Sequence, residues 1–349
     1  MKRIHIKFKI NKFSIEQKQF TSVLVICCLF FIPFILTLQR PLTSIDTPGY
    51  FDYYQKAVLG IKTVESSYYL LSRLAGLLLP GDLGFRLLLF FYQTIAFSIL
   101  LILIKRSQNP YLVFFIYFCF AYIYQFSIQI RSCVANLIFA LSIYDIFEKK
   151  WKSYYLKMLI AYFFHRSSIL FFLVYPLCLF VLKHKKLLYF MPIFFVLSAK
   201  LFKPFMGGFI DFAGNSGVPA IKTIWTYTQI ASYQEAEMNP FNKTSLFLFV
   251  VYYYPLIKYK VGNLLKQECI CLTVISLSLF CYFFGTYNIP IIAQRYPEAL
   301  NLVLLIYLPL FINRVREKQI AYLLLALYLF LIAKNYGTGN FMLSFIGIK

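Results

Sequence analysis

The chain has 349 residues, of which 60% are hydrophobic and only 14% charged. A soluble domain runs at roughly 45–50% apolar and about 25% charged, and a soluble fold of this length has too little interior for 40 Phe and 29 Tyr. With a mean hydropathy of +0.70 and a net charge of +22, the composition excludes a secreted globular domain, a cytosolic enzyme and a disordered chain. The second solvent for this chain is lipid.

The basic excess falls in short clusters between apolar runs, the positive-inside pattern of a membrane protein. No nucleic-acid partner is expected from it. The eight cysteines all lie in apolar stretches, and Cys269-x-Cys271 has neither a second pair at zinc spacing nor a nearby His. They read as small buried hydrophobes, with no metal.

In chain order, residues 1–19 form a basic cytoplasmic arm carrying Lys2, Arg3, Lys7, Lys9, Lys12 and Lys18. Phe20–Leu38 follows as a first span. The chain continues through Gln39-Arg40-Pro41 with no small-residue cleavage pattern, so this span is expected to be retained rather than removed as a signal peptide. Further apolar runs are Phe85–Ile104, Tyr111–Phe126, Ser132–Phe147, Tyr154–Phe164, Ile169–Leu182, Leu187–Leu201, Ser245–Ile257, Cys269–Phe284, Leu300–Ile312 and Ala321–Ala333. They predict an all-α polytopic membrane protein with about eleven transmembrane helices, in a range of about nine to twelve. A single transmembrane domain then occupies 20–334, with a tail at 335–349. Tyr154–Phe164 is short enough to be either a span or half of a re-entrant hairpin.

This threading puts more than half of the Lys and Arg on the inner side and the N-terminus in the cytoplasm. Two outer segments are long, about 39–84 and 202–244. In the first, Ser66–Leu79 reads as an interfacial helix. The second, rich in glycine and proline, reads as loop with one short helix at Ala220–Gln234.

Four polar features on the proposed outer side are not demanded by lipid. Asp46 is followed by Tyr50, Tyr53 and Tyr54. A carboxylate with phenols suits sugar hydroxyls and pyranose faces; the alternative is an interfacial aromatic belt behind a helix N-cap. Arg131 opens a span after Gln129-Ile130. It either snorkels to headgroups or faces an inner cleft and binds a diphosphate by paired hydrogen bonds. His165, in Phe164-His165-Arg166-Ser167, sits at a break between two apolar segments, as a structural imidazole or a group that takes and gives a proton. Arg295, in Gln294-Arg295-Tyr296-Pro297-Glu298, enters a late span. Outer cations beside one His and one carboxylate describe a pocket for an anionic leaving group. A P-loop and HExxH or DxD runs are missing from the sequence.

These features, in this order, resemble the EpsG family of Wzy-like exopolysaccharide and O-antigen polymerases. The resemblance rests on the Asp46-to-Tyr50 segment, Ile130-Arg131-Ser132-Cys133-Val134-Ala135, the inner turn Glu148-Lys149-Lys150, Phe164-His165-Arg166-Ser167 and Arg295-Tyr296. It covers roughly Phe20 to Phe330. It implies a GT-C-like glycosyltransferase of the bacterial plasma membrane, working on the outer face. Donor and acceptor would be undecaprenyl-diphosphate-linked oligosaccharides, and no cofactor is implied. Arg131 and Arg295, with Arg166 and Arg40, would stabilise the diphosphate. His165 or Asp46 would accept the proton of the attacking hydroxyl, and Tyr50, Tyr53 and Tyr54 would position sugar. A flippase and a chain-length regulator are compatible protein partners. Two competing readings are a flippase for lipid-linked oligosaccharide and an O-antigen ligase.

Overall fold

The computed structural model describes residues 47–117, 129–217 and 239–315, with scattered positions within 22–34, 222–225 and 318–326. Among the described residues every regular element is helical. The α-helices in order are α1 (Thr47–Val58), α2 (Ser66–Leu78), α3 (Gly81–Arg106), α4 (Pro110–Tyr117), α5 (Ile130–Phe147), α6 (Trp151–Phe164), α7 (Val174–Lys183), α8 (Met191–Phe202), α9 (Met206–Asn215), α10 (Lys243–Tyr259), α11 (Lys266–Asn288), α12 (Pro290–Leu300) and α13 (Leu304–Arg314). A 3-10 segment, Arg166–Leu173, leads into α7.

Six helical runs among the described residues are long and apolar enough to cross a membrane: Gly81–Arg106, Ile130–Phe147, Arg166–Lys183, Met191–Asn215, Lys266–Asn288 and Arg295–Arg314. α3 shows why such a run forms one helix. Its 26 residues contain no interior proline and reach about 39 Å at 1.5 Å per residue. Asp82 lies in its first turn and Lys105-Arg106 in its last, each sign opposite to the local end of the helix dipole.

α5 and α11 form the interior. In α5, 78% of the best apolar window is buried inside the protein, against 17% for Met191–Asn215. The first helix therefore touches protein on nearly every side, and the second leaves most of its apolar surface for lipid. α5 packs on α3, α6 and α12, while α11 packs on α7, α8, α10 and α12. Gly285 lets α11 and α12 close on each other: a Cβ there would stand 2.2 Å from the Ala293 nitrogen.

Two buried ion pairs hold the C-terminal end of α5 and the N-terminal end of α11. Lys157 of α6 meets Asp145 of α5 at 2.5 Å, and Ser153 donates to the same carboxylate at 3.1 Å. Arg314, at the end of α13, pairs with buried Glu268 in the first turn of α11 and lies 4.2 Å from the Tyr259 ring centre. Lys266 donates to the Phe147 carbonyl at 2.6 Å and ties the start of α11 to the end of α5. A buried charge is tolerated when it is paired, and Asp145 and Glu268 each have a cationic partner.

Several expectations change in detail. Met206–Asn215 is helical rather than loop; Gly207 and Gly208 stay at negative φ, and among the described glycines only Gly60 and Gly81 are positive. The late helix begins at Pro290, not Leu300, and continues through a 3-10 turn at Asn301–Val303 to Arg314. α6, with 14 residues, and α10, with 17, are shorter than the six membrane-length runs. The expected spans Phe20–Leu38 and Ala321–Ala333, much of Tyr111–Phe126 and most of the helix at 220–234 lie outside the described residues.

Candidate functional site

Arg131 is the second residue of α5, just inside the junction set by Gln129. Gln129 is in turn fixed by Ser132, whose hydroxyl donates to the Gln129 side-chain oxygen at 2.9 Å. A cation at a helix start is opposed by the dipole, so Arg131 needs an anion from elsewhere. That anion is Glu65, which makes an ion pair with the Arg131 Nη1.

Glu65 precedes α2 in the N-cap position, yet its side chain makes no cap hydrogen bond to its own helix. It turns into the bundle instead, with a side chain only 8% exposed. One oxygen takes Arg131. The other lies 3.1 Å from His165 Nδ1. His165 arrives there because α6 stops at Phe164: His165 is extended (φ −153, ψ 119), and the chain then turns into the 3-10 segment. α2 packs directly against α6, which closes the triad.

Burial alone would push the Glu65 carboxyl above its usual range. The hydrogen bond with His165 and the charge of Arg131 outweigh that and hold its pKa at about 2. Glu65 is therefore an anion at neutral pH.

Three tyrosines wrap the guanidinium. The Arg131 Cζ lies 5.1 Å from the Tyr50 ring centre, 5.7 Å from Tyr53 and 5.8 Å from Tyr68. Tyr50 and Tyr53 come from one face of α1, three residues apart. Tyr68 comes from α2, and its hydroxyl donates to the Tyr50 carbonyl at 2.6 Å, which locks α1 to α2. Ser67 and Tyr92 share a hydrogen bond of 3.0 Å and lock α2 to α3. The Tyr92 ring meets Phe164, the residue before His165, edge-on at 5.8 Å. Aromatic faces stabilise a cation electrostatically by about 0.5–2 kcal/mol each. The Arg131 Nε, the Gln129 amide nitrogen and the Ser168 hydroxyl are buried with no hydrogen-bond partner among the described residues.

The remaining sequence-derived candidates divide. Tyr54 is buried against Phe51 and Phe85. Its hydroxyl fills the space over Gly84, where a Cβ would come within 2.1 Å of it. That is a packing position at the α1–α3 contact. Arg166 is half-buried at the start of the 3-10 segment. Arg295 is half-buried on α12, which packs on α5. Its neighbour Tyr296 meets Phe171 edge-on at 6.4 Å, and Phe171 stacks on Phe139 of α5 at 4.3 Å. Arg295 thus lies on the helix that flanks the 3-10 segment after His165. Asp46 and Arg40 lie outside the described residues.

Sequence reasoning missed Glu65, the residue that joins Arg131 to His165. It also passed over Tyr68 as a contact of Arg131. The one available signal was scarcity: the chain has 13 acidic residues against 35 basic ones, and Glu65 stands directly before a helix-forming stretch.

No curated protein and no solved structure matches the chain. The sequence model of the EpsG family matches residues 23–345, nearly its whole length. With that match the apolar helices are those of a multi-pass membrane protein, and the chain belongs to the EpsG family, a family of Wzy-like polymerases.

Proposed function

We propose that this chain is a GT-C-like glycosyltransferase that joins undecaprenyl-diphosphate-linked oligosaccharide repeat units on the outer face of the bacterial plasma membrane. The growing chain leaves its lipid diphosphate and is attached to a hydroxyl of the next lipid-linked unit. The observation that carries this reading is the meeting of Arg131 and His165 on one buried carboxylate, inside a wall of tyrosines.

Each group has a task in such a transfer. The acceptor oxygen forms a bond to the anomeric carbon while the bond from that carbon to the diphosphate oxygen breaks. The electron pair stays on the diphosphate, and guanidinium groups offset the growing charge most strongly where water is partly excluded. Arg131 keeps N–H donors beyond the one that meets Glu65, and Arg295 supplies a second guanidinium from α12. The acceptor hydroxyl loses its proton to His165. Tyr53, half-buried beside Arg131, offers a ring face and hydroxyl to sugar, while Tyr50 backs the guanidinium.

The test is a deletion strain complemented with variants. Loss of the gene should leave single repeat units on lipid or at the surface. Complete loss of lipid-linked units outside would mean a flippase and end this reading. Arg295→Ala should stay in the membrane and make no long polymer; normal polymer would remove Arg295 from the diphosphate site.

A further inference from the structure

The buried carboxylate of Glu65 lies outside the set of residues assigned to binding or chemistry above. Its surroundings restrict what it does. It is 7% exposed, too enclosed to face solvent as a loop carboxylate. It does not cap α2. Arg131 alone would satisfy it as a counter-ion, yet its second oxygen is aimed at His165 Nδ1 at 3.1 Å. A carboxylate with a pKa of about 2 carries no proton at neutral pH. It only accepts, so the proton in that hydrogen bond belongs to Nδ1.

We infer that Glu65 is a positioning residue: it holds His165 in the Nδ1–H form, so that Nε2 carries the lone pair and receives the proton of the acceptor hydroxyl. This rests on the polymerase reading for its chemistry, and on the Glu65–His165 contact for its geometry. The hydroxyl proton moves to Nε2 as the oxygen bonds to the anomeric carbon. The imidazolium that results is stabilised by the adjacent carboxylate, and Nε2 returns the proton to water after the lipid diphosphate departs. A His with the opposite tautomer presents N–H where the lone pair is needed.

The same carboxylate opposes the diphosphate for the Arg131 charge. Removing its charge should therefore act in two directions: turnover falls, while the lipid-linked donor binds at least as well. A residue that only supports the fold does not split kcat from KM in this way.

The experiment uses the full chain in detergent or nanodiscs, with lipid-linked repeat units as substrate. Glu65→Gln should lower kcat by roughly 10²–10⁴-fold without raising KM for the lipid-linked donor, and Glu65→Asp should recover part of the loss. Wild-type kcat in Glu65→Gln overturns the inference, as does a parallel loss in both variants with a raised KM. A second readout needs no turnover. The chain has 3 His, so nitrogen NMR on histidine-labelled protein, with His165→Gln for assignment, reports the ring directly. Wild-type His165 should be protonated on Nδ1, and the pair Glu65→Leu with Arg131→Leu, which removes both charges together, should release that preference. A wild-type ring protonated on Nε2 overturns the inference even if polymer is made. Wild-type protein with the Nδ1–H form but no transferase activity leaves the contact standing and sinks the polymerase reading.

Discussion

Glu65 Oε1 and His165 Nδ1 lie 3.1 Å apart, although the two residues are 100 positions apart in the chain. The contact depends on three folding decisions made far from one another: α2 must pack on α6, α6 must stop at Phe164, and Glu65 must forgo capping its own helix. Arg131 closes the arrangement from a fourth place, the start of α5. A carboxylate this enclosed is costly unless paired, and here it has two partners.

Arg131 therefore has a structural role as well as a proposed chemical one, and the two separate by mutation. Arg131→Gln leaves Glu65 buried with His165 alone. Breaking a buried pair costs about 3–5 kcal/mol, so this variant should melt earlier in detergent. Adding Glu65→Gln removes the orphaned charge and should restore most of the melting temperature. Polymer should stay absent in both. Long polymer from the double variant would show that the guanidinium serves only the fold.

Acid should weaken the protein through Glu65. Its carboxyl is held at about 2, below the ordinary 4.5. In the range between, the unfolded chain binds the proton more readily than the folded one. The stability that Glu65 contributes is complete above about 4.5 and is lost as pH falls towards 2. Melting curves from pH 7 down to 3 should show a steeper loss in wild type than in Glu65→Gln. Parallel curves would mean that the carboxylate is not ionised in its pocket.

What was legible in the sequence followed from how local each cause is. The bodies of α3, α5 and α11 are apolar runs, so their positions show in composition, and the described helices run past the expected ends by only a few residues. Arg131 and His165 stood out because a charge or imidazole beside an apolar run is conspicuous. Glu65 did not, because Lys62-Thr63-Val64-Glu65-Ser66 looks like solvent-exposed connector; its burial comes from neighbours distant in the chain. Met206–Asn215 departs from the sequence expectation for the opposite reason. Glycine there signals a break, whereas Phe209, Ile210 and Phe212 give the stretch an apolar surface that a helix can carry.

The Asp145–Lys157 pair should prove separable from the chemistry. Asp145 is 5% exposed in its side chain and Lys157 is 22%. Lys157→Met strands the acid and should cost about 3–5 kcal/mol, whereas Lys157→Met with Asp145→Leu removes both charges and should be near neutral or stabilising. Thermal melting reads both. The double variant should also polymerise normally; a loss of polymer at full stability would put this pair in the reaction.

The last expectation concerns the packing that places Arg295. At Gly285 an added Cβ would stand 2.2 Å from the Ala293 nitrogen and 2.7 Å from the Ala293 Cβ. Backbone cannot yield as a flexible side chain does, so α12 has to move away from α11. Overpacking of this kind costs about 1–3 kcal/mol, and α12 carries Arg295 two residues beyond the point of contact. A displacement of about 1 Å in a binding group can lower a rate by about 10²-fold. Gly285→Ala should therefore lose stability and, more sharply, polymer length. Gly262→Ala is the matched control, since a Cβ there meets nothing within 4 Å. If both variants melt and polymerise like wild type, the α11–α12 contact does not set the position of Arg295.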